Sequence, residues 1–200
     1  MSANQTPDVI IAGAGLAGAT LALALHQGGL KAVLVDPQPF DAQLAPTFDG
    51  RSTAIAYSTF RMLDVLGLGE QLRPHACRMD HILVTDGQRP GAASRAPSAA
   101  FIRFDAEEIG DRNGGEPLGY MLENRRLRVA LAEAVTAAGI EVLAPASVAS
   151  VEAGPGLATV WLKDGRELKA PLVIGAEGRG STVRKAAKID TIGWAYQQSG

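Results

Sequence analysis

The 200-residue chain is 46% apolar and 20% charged with a net charge of −2. It can bury the core of one medium domain, or of one domain and part of another, and its lack of a basic tract argues against nucleic-acid binding. Cys77 is its single cysteine, which excludes a disulfide framework and a cysteine-based metal site. The start, MSANQTPD, has neither the basic nor the apolar segment of a secretion signal, and no apolar run reaches the roughly 18–20 residues that span a bilayer, so the expectation is a soluble, cytoplasmic protein.

Residues 8–12 form a short, almost wholly apolar run, as in a parallel strand buried on both faces. Gly13, Gly15 and Gly18 follow in the pattern G-x-G-x-x-G, and an Ala/Leu-rich helical segment runs from 16 to about 27 until Gly28-Gly29 stops it. A second apolar run, 31–35, ends at Asp36. Strand, glycine turn, helix, strand and acid together are the dinucleotide-binding βαβ unit. Gly13 permits the sharp turn, Gly15 lets a pyrophosphate approach the backbone, and Gly18 lets the helix lie close on the strand. The helix N-terminus offers N–H groups and partial positive charge to phosphates, and the Asp36 carboxylate suits an adenosine ribose while repelling a 2′-phosphate. An ordinary α/β unit could carry a glycine turn alone; the acid and both strands make nucleotide binding the better reading. The unit by itself leaves NAD and FAD open.

Residues 37–51 are a proline-rich loop, and 51–57 an extended segment. Ser58 is a plausible N-cap for a helix over 59–66, whose Phe60, Leu63 and Leu66 share one face and which Gly67 ends. Residues 81–85 read as a strand ending in the turn Asp86-Gly87, 88–100 as a patternless Pro/Ala/Ser/Gly stretch, 101–104 as a returning strand and 111–117 as a polar loop. An amphipathic helix spans 123–138, with Leu127, Leu131 and Val135 on one face. Residues 141–143 read as a further strand of the main sheet. Three short strands at 147–152, 158–162 and 167–170 form an antiparallel meander joined by Gly-Pro-Gly and Asp-Gly turns. Residues 172–175 are again a buried-type strand, running into the glycine turn and short helix of AEGRGSTVRK. Because ligands of open α/β sheets bind outside the carboxyl ends of strands, both glycine turns are expected on one edge. Taken alone, the second turn is as well explained by structure as by function. His26, His75 and His81 are assigned to no metal, Cys77 reads as a small packing residue, and Trp161 and Trp194 as packing residues on strands.

These motifs together resemble the FAD-dependent aromatic hydroxylases of the para-hydroxybenzoate hydroxylase class, and within them the ubiquinone-biosynthesis hydroxylases. The resemblance rests on GAGLAG at 13–18 with Asp36, DGRSTAIAYSTFRMLDVLGL at 49–68, ENRRLRVAL at 123–131, GAEGRGSTVR at 175–184 and IGWAYQQSG at 192–200. Two residues depart from the common pattern: Glu177 stands where the family usually has Asp, and Asp36 where many members have Glu. Family members also run to about twice this length and carry a later Gly-Asp motif, so the chain looks like an N-terminal part.

The resemblance implies an α/β fold: a Rossmann-like FAD-binding domain with a parallel sheet (1–78 and 112–188), a three-stranded antiparallel meander, and the start of a β-rich substrate domain (79–111 and 189–200). It implies that Gly13, Ala14, Gly15, Leu16, Ala17 and Gly18 bind the FAD pyrophosphate and Asp36 the adenosine ribose, that Arg51 lies toward the flavin, that Asn124 and Arg125 contact the cofactor, and that Glu177 and Gly178 form the second nucleotide motif. Arg126 and Arg128 are better read as a solvated helix face. It further implies hydroxylation of a phenol or quinone precursor with NAD(P)H and O₂, with no catalytic residue among these motifs, and leaves room for peripheral membrane or biosynthetic-complex association. A dehydrogenase or oxidase sharing the nucleotide domain, or a nucleotide-binding module without activity of its own, are the competing readings. A fragment of this kind is expected to hold FAD weakly.

Overall fold

The structure, a computed structural model, describes residues 6–44, 50–85, 101–109 and 115–194. Two units emerge from the chain: Met1–Thr47 with Arg128–Gly200, and Phe48–Leu127.

In the first unit, β1 (Val9–Ala12), α1 (Leu16–Gln27) and β2 (Ala32–Val35) follow the predicted bounds to within a residue. Every residue of both strands is buried, as apolar runs with no polar alternation require. With β8 (Glu141–Leu143) and β12 (Leu172–Gly175) they form a parallel sheet in the order β12-β1-β2-β8. Strands β9 (Val148–Ala153), β10 (Ala158–Leu162) and β11 (Glu167–Ala170) form the expected antiparallel meander. Alternation along β1 assigns its side chains: Ile11 faces α1, close to Gly18, while Ile10 and Ala12 join Val35, Val148, Val160 and Leu162 in the core between sheet and meander. The pattern is helix, sheet, meander, each layer burying the apolar face of the next. Helix α5 (Asn124–Ala137), whose first four residues belong to the second unit, has Leu127, Leu131 and Val135 each no more than 4% exposed. The unit closes with α6 (Thr182–Ala186).

The second unit holds β3 (Ser52–Ala56), α2 (Tyr57–Val65), α3 (Gly69–Leu72), β4 (Cys77–Met79), β5 (His81–Thr85), β6 (Phe101–Asp105), α4 (Ala106–Ile109) and β7 (Gly119–Glu123). An antiparallel sheet, β3-β7-β4, carries Tyr120, whose ring packs on Phe60 of α2 at 4.3 Å between centroids. The Arg73 guanidinium lies over the Phe60 ring, 5.1 Å from its centroid, and its Nη2 donates to both carboxylate oxygens of Asp64 at 2.8 Å. The hairpin β5–β6 stands as a separate two-stranded sheet.

Several expectations change. Helix α2 begins at Tyr57, with Ala56 at its cap position, so Ser58 caps nothing; the Tyr57 N–H bonds instead to the Leu118 carbonyl at 3.0 Å. Strands β4 and β7 were not anticipated. Cys77 is exposed on β4 and fills no core. Trp194 lies on no strand and is 71% exposed. His81, assigned to no metal, has Nδ1 3.1 Å from Asp105 Oδ2. The turn at 86–87, the stretch 88–100, most of the loop 111–117 and the tail 195–200 lie outside the described residues. Among the described residues, no helix is long and apolar enough to cross a membrane.

Candidate dinucleotide-binding site

Strand pairing builds the site. Ala12 of β1 lies in register with Val35 of β2 and Gly175 of β12, so three strands end level and their following turns share an edge. Backbone bonds stitch the ends together: the Gly13 N–H donates to the Val35 carbonyl (2.7 Å) and the Ala176 N–H to the Ala12 carbonyl (2.6 Å). The segment after β8 is tied in as well, since the Ala146 N–H donates to the Asp36 carbonyl (2.7 Å) and the Asp36 N–H to the Leu143 carbonyl (3.1 Å).

The three glycines have three different surroundings. Gly13 has φ +103°, and a Cβ there would stand 2.5 Å from the Ala176 carbonyl oxygen. Its missing side chain is thus what lets the two glycine turns touch. A Cβ at Gly18 would fall on the Gly13 carbonyl, so this glycine seats α1 on the turn. Gly15 is exposed, and a Cβ there would meet no atom within 4 Å. The space beside it is open groove. It also starts α1 with no side-chain cap, which leaves first-turn N–H groups of a 12-residue helix available to an anion. Ala14 is fully buried, Leu16 half-buried and Ala17 exposed.

Asp36 is held ready by two backbone donors. Its Oδ2 accepts the Ala14 N–H at 2.7 Å and its Oδ1 the Gln38 N–H at 2.9 Å. Each oxygen retains a lone pair for a further donor such as a ribose hydroxyl. Gly13, Gly15 and Asp36 line one groove of about 400 Å³ together with Ala176, Glu177 and Thr182 from the second turn, and Ala146, Ser147 and Lys163. That volume lies within the range of small-molecule sites.

Glu177 sits in this groove, and its carboxylate is turned toward α6: Oε2 accepts the Ser181 hydroxyl at 2.7 Å and the Val183 N–H at 3.2 Å, while Ser181 Oγ accepts the Arg184 N–H at 3.1 Å. Ser181 is 6% exposed. The Glu177–Ser181 pair thus caps the short helix and shapes the turn. Gly178 follows with φ +77°. In the second unit, Asn124 starts α5; its side-chain oxygen accepts the Thr53 hydroxyl at 2.5 Å and its N–H donates to the Arg51 carbonyl at 3.0 Å. Arg51 is exposed beside it, and Arg125 pairs with Glu123. Arg126 is exposed, as a solvated face requires. Sequence reasoning did not single out Ser147 or Lys163. They reach the groove because the Lys163 N–H bonds to the Ser147 carbonyl at 2.9 Å, a contact between the far end of β10 and the start of β9.

A parallel βαβ unit whose glycine turn, helix start and acid line one groove, with a second glycine turn packed on the first, defines a dinucleotide-binding α/β protein. The sequence profile of the FAD binding domain matches residues 6–198, and the chain belongs to that family; its cofactor is FAD. The chain is 36% identical over 203 residues to ubiquinone hydroxylase UbiL of Rhodospirillum rubrum, covering 99% of this chain and 43% of the relative. It is 32% identical over 200 residues to the 3-demethoxyubiquinol 3-hydroxylase of Escherichia coli, covering 98% and 47%. The chain therefore spans less than half the length of these relatives. The fold is similar to that of OxyS anhydrotetracycline hydroxylase from Streptomyces rimosus, with TM-score 0.72, 24% identity and coverage of 96% of this chain and 36% of that one. It is also similar to CtdE in complex with FAD, with TM-score 0.61, 22% identity and coverage of 91% and 41%.

Proposed function

We propose that this chain is the cofactor-gripping part of a flavoprotein monooxygenase that hydroxylates an aromatic ring, a phenol or quinone precursor of ubiquinone biosynthesis, with NAD(P)H and O₂. The observation that carries the reading is the packing of Gly13 on Ala176, which puts both glycine turns and Asp36 on one groove. The similarity to ubiquinone hydroxylases along nearly the whole chain supports the substrate class.

In this reading the open backbone at Gly15 and the first turn of α1, from Leu16 through Ala17 to Gly18, receive the FAD pyrophosphate, with Gly13 and Ala14 shaping the turn. Asp36 accepts the ribose hydroxyls. Glu177 and Gly178 set the second turn against the cofactor, and Arg51, Asn124 and Arg125 are further cofactor contacts by the same resemblance. Bound FAD supplies the redox chemistry, taking electrons from NAD(P)H and activating O₂; the residues named here bind and orient it. Residues 79–111 and 189–200 begin the substrate domain. The hairpin within them supports this: Ile82, Val84, Ile102 and Phe104 alternate onto one face of β5–β6, each 39–59% exposed, as a sheet awaiting a cover would be. An apolar prenylated substrate would also favour peripheral association with a membrane or a biosynthetic complex.

The test is product analysis with the enzyme expressed from its complete gene, NAD(P)H, a prenylated phenol and ¹⁸O₂. The expected outcome is a hydroxylated product carrying one labelled oxygen. Substrate oxidation without label would instead indicate a dehydrogenase.

A further inference from the structure

The FAD groove has an unbalanced charge. Its lining carries two carboxylates, Asp36 and Glu177, and among the described residues a single cationic side chain, Lys163. A diphosphate brings two further negative charges into that space. Asp36 is stabilised by the Ala14 and Gln38 N–H groups, and Glu177 by Ser181 and Val183. Neither arrangement leaves positive charge for a ligand, so within this lining, beyond the start of α1, the cationic side chain is Lys163.

The local structure keeps that ammonium available. Lys163 opens the tight turn between β10 and β11, and its backbone is fastened to Ser147 at 2.9 Å. The neighbouring carboxylate, Asp164, is taken by Arg166, whose guanidinium donates to Oδ2 at 2.6 and 3.0 Å and whose N–H donates to Oδ1 at 3.1 Å. This pairing holds the Asp164 carboxyl below its usual range. Lys163 has no ion pair among the described residues. A long, exposed side chain on a pinned backbone can swing toward an anion without breaking any existing contact.

We propose that Lys163 is a cofactor-binding residue, its ammonium countering the diphosphate of the adenosine end of FAD from the meander side of the groove. The proposal rests on the assignment of that groove to FAD. It makes the β10–β11 turn part of the binding site.

The experiment compares wild-type apoenzyme expressed from its complete gene with Lys163→Met and Lys163→Arg, using FAD, ADP and adenosine as probes in calorimetric titrations at two salt concentrations. Lys163→Met is expected to weaken FAD and ADP about three- to tenfold at low salt. It should flatten the salt dependence and leave adenosine, which has no phosphate, unchanged. Lys163→Arg keeps the charge and should bind within about twofold of wild type. Because Lys163 is exposed, melting of both variants should match wild type, and Lys163→Glu offers a second test by charge reversal. Equal ADP affinity and equal salt dependence in wild type and Lys163→Met would overturn the role of Lys163 while leaving the groove assigned to FAD. A wild-type enzyme that bound neither FAD nor ADP would overturn the assignment of the groove as well.

Discussion

Gly15 and Gly18 belong to one motif, yet their surroundings predict opposite consequences for the same substitution. In Gly15→Ala the new methyl meets nothing within 4 Å, and the backbone there (φ −71°, ψ −167°) suits any residue. Loss of a favourable N-cap residue costs a few tenths to about 1 kcal/mol, and the stiffer unfolded chain returns about 0.4–1 kcal/mol. Stability should therefore stay within about 1 kcal/mol of wild type. The methyl projects into the groove where the pyrophosphate must approach, so ADP and FAD affinity should fall more than about tenfold, or ~1.4 kcal/mol. In Gly18→Ala the methyl falls on the Gly13 carbonyl. Against backbone that cannot rotate aside, the overpacking cost is at the upper end of its range, about 3 kcal/mol, and the roughly 1 kcal/mol that alanine adds to a helix interior leaves a net loss of about 2 kcal/mol. At about 2–4 °C per kcal/mol for a chain of this size, a drop of several degrees in melting temperature is expected. Thermal denaturation by circular dichroism and nucleotide titration separate the two effects. A Gly15→Ala protein that binds ADP normally, or a Gly18→Ala protein that melts with wild type, would refute the reasoning.

Asp36→Ala removes the acceptor at the ribose position, so affinity for ADP should fall about tenfold or more and discrimination between ADP and 2′-deoxy-ADP should vanish; persistence of that discrimination would place the ribose elsewhere. Glu177→Ala leaves the buried Ser181 hydroxyl without its acceptor and should cost about 1–2 kcal/mol. In a double-mutant cycle with Ser181→Ala the two losses should be clearly less than additive, whereas full additivity would mean that the pair does not act together. Burial raises the Tyr120 phenol above its ordinary value, and its bond to Glu116 Oε2 at 3.0 Å adds to the shift. The folded state thus favours the neutral phenol. This stabilisation is complete below pH ~10, the unfolded value, and is lost as pH rises through the higher folded value. Tyrosinate absorbance should show one of the three tyrosines ionising late, and simultaneous titration of all three would contradict the burial argument.

Much of the nucleotide unit is a local matter, and the sequence alone determined it. Two apolar runs without alternation dictate buried parallel strands, glycine spacing dictates the turn, and Asp36 ends the second run. Helices α2 and α5 were legible from their apolar stripes for the same reason, although the start of α2 was set by a backbone bond to Leu118 that no capping residue advertises. Strand β7 stayed hidden because Glu123 passes directly into α5 at Asn124 with no punctuation between them. What the chain could not reveal locally is which distant residues become neighbours. Pairing of β1 with β12 set Gly13 against Ala176, strand pairing of β5 with β6 joined His81 to Asp105, and the meander carried Lys163 to the groove. Spacing along the chain specifies hydrogen-bonded periodicity within an element. Contacts between different elements depend on strand pairing and the packing of layers, and only the tertiary structure decides them.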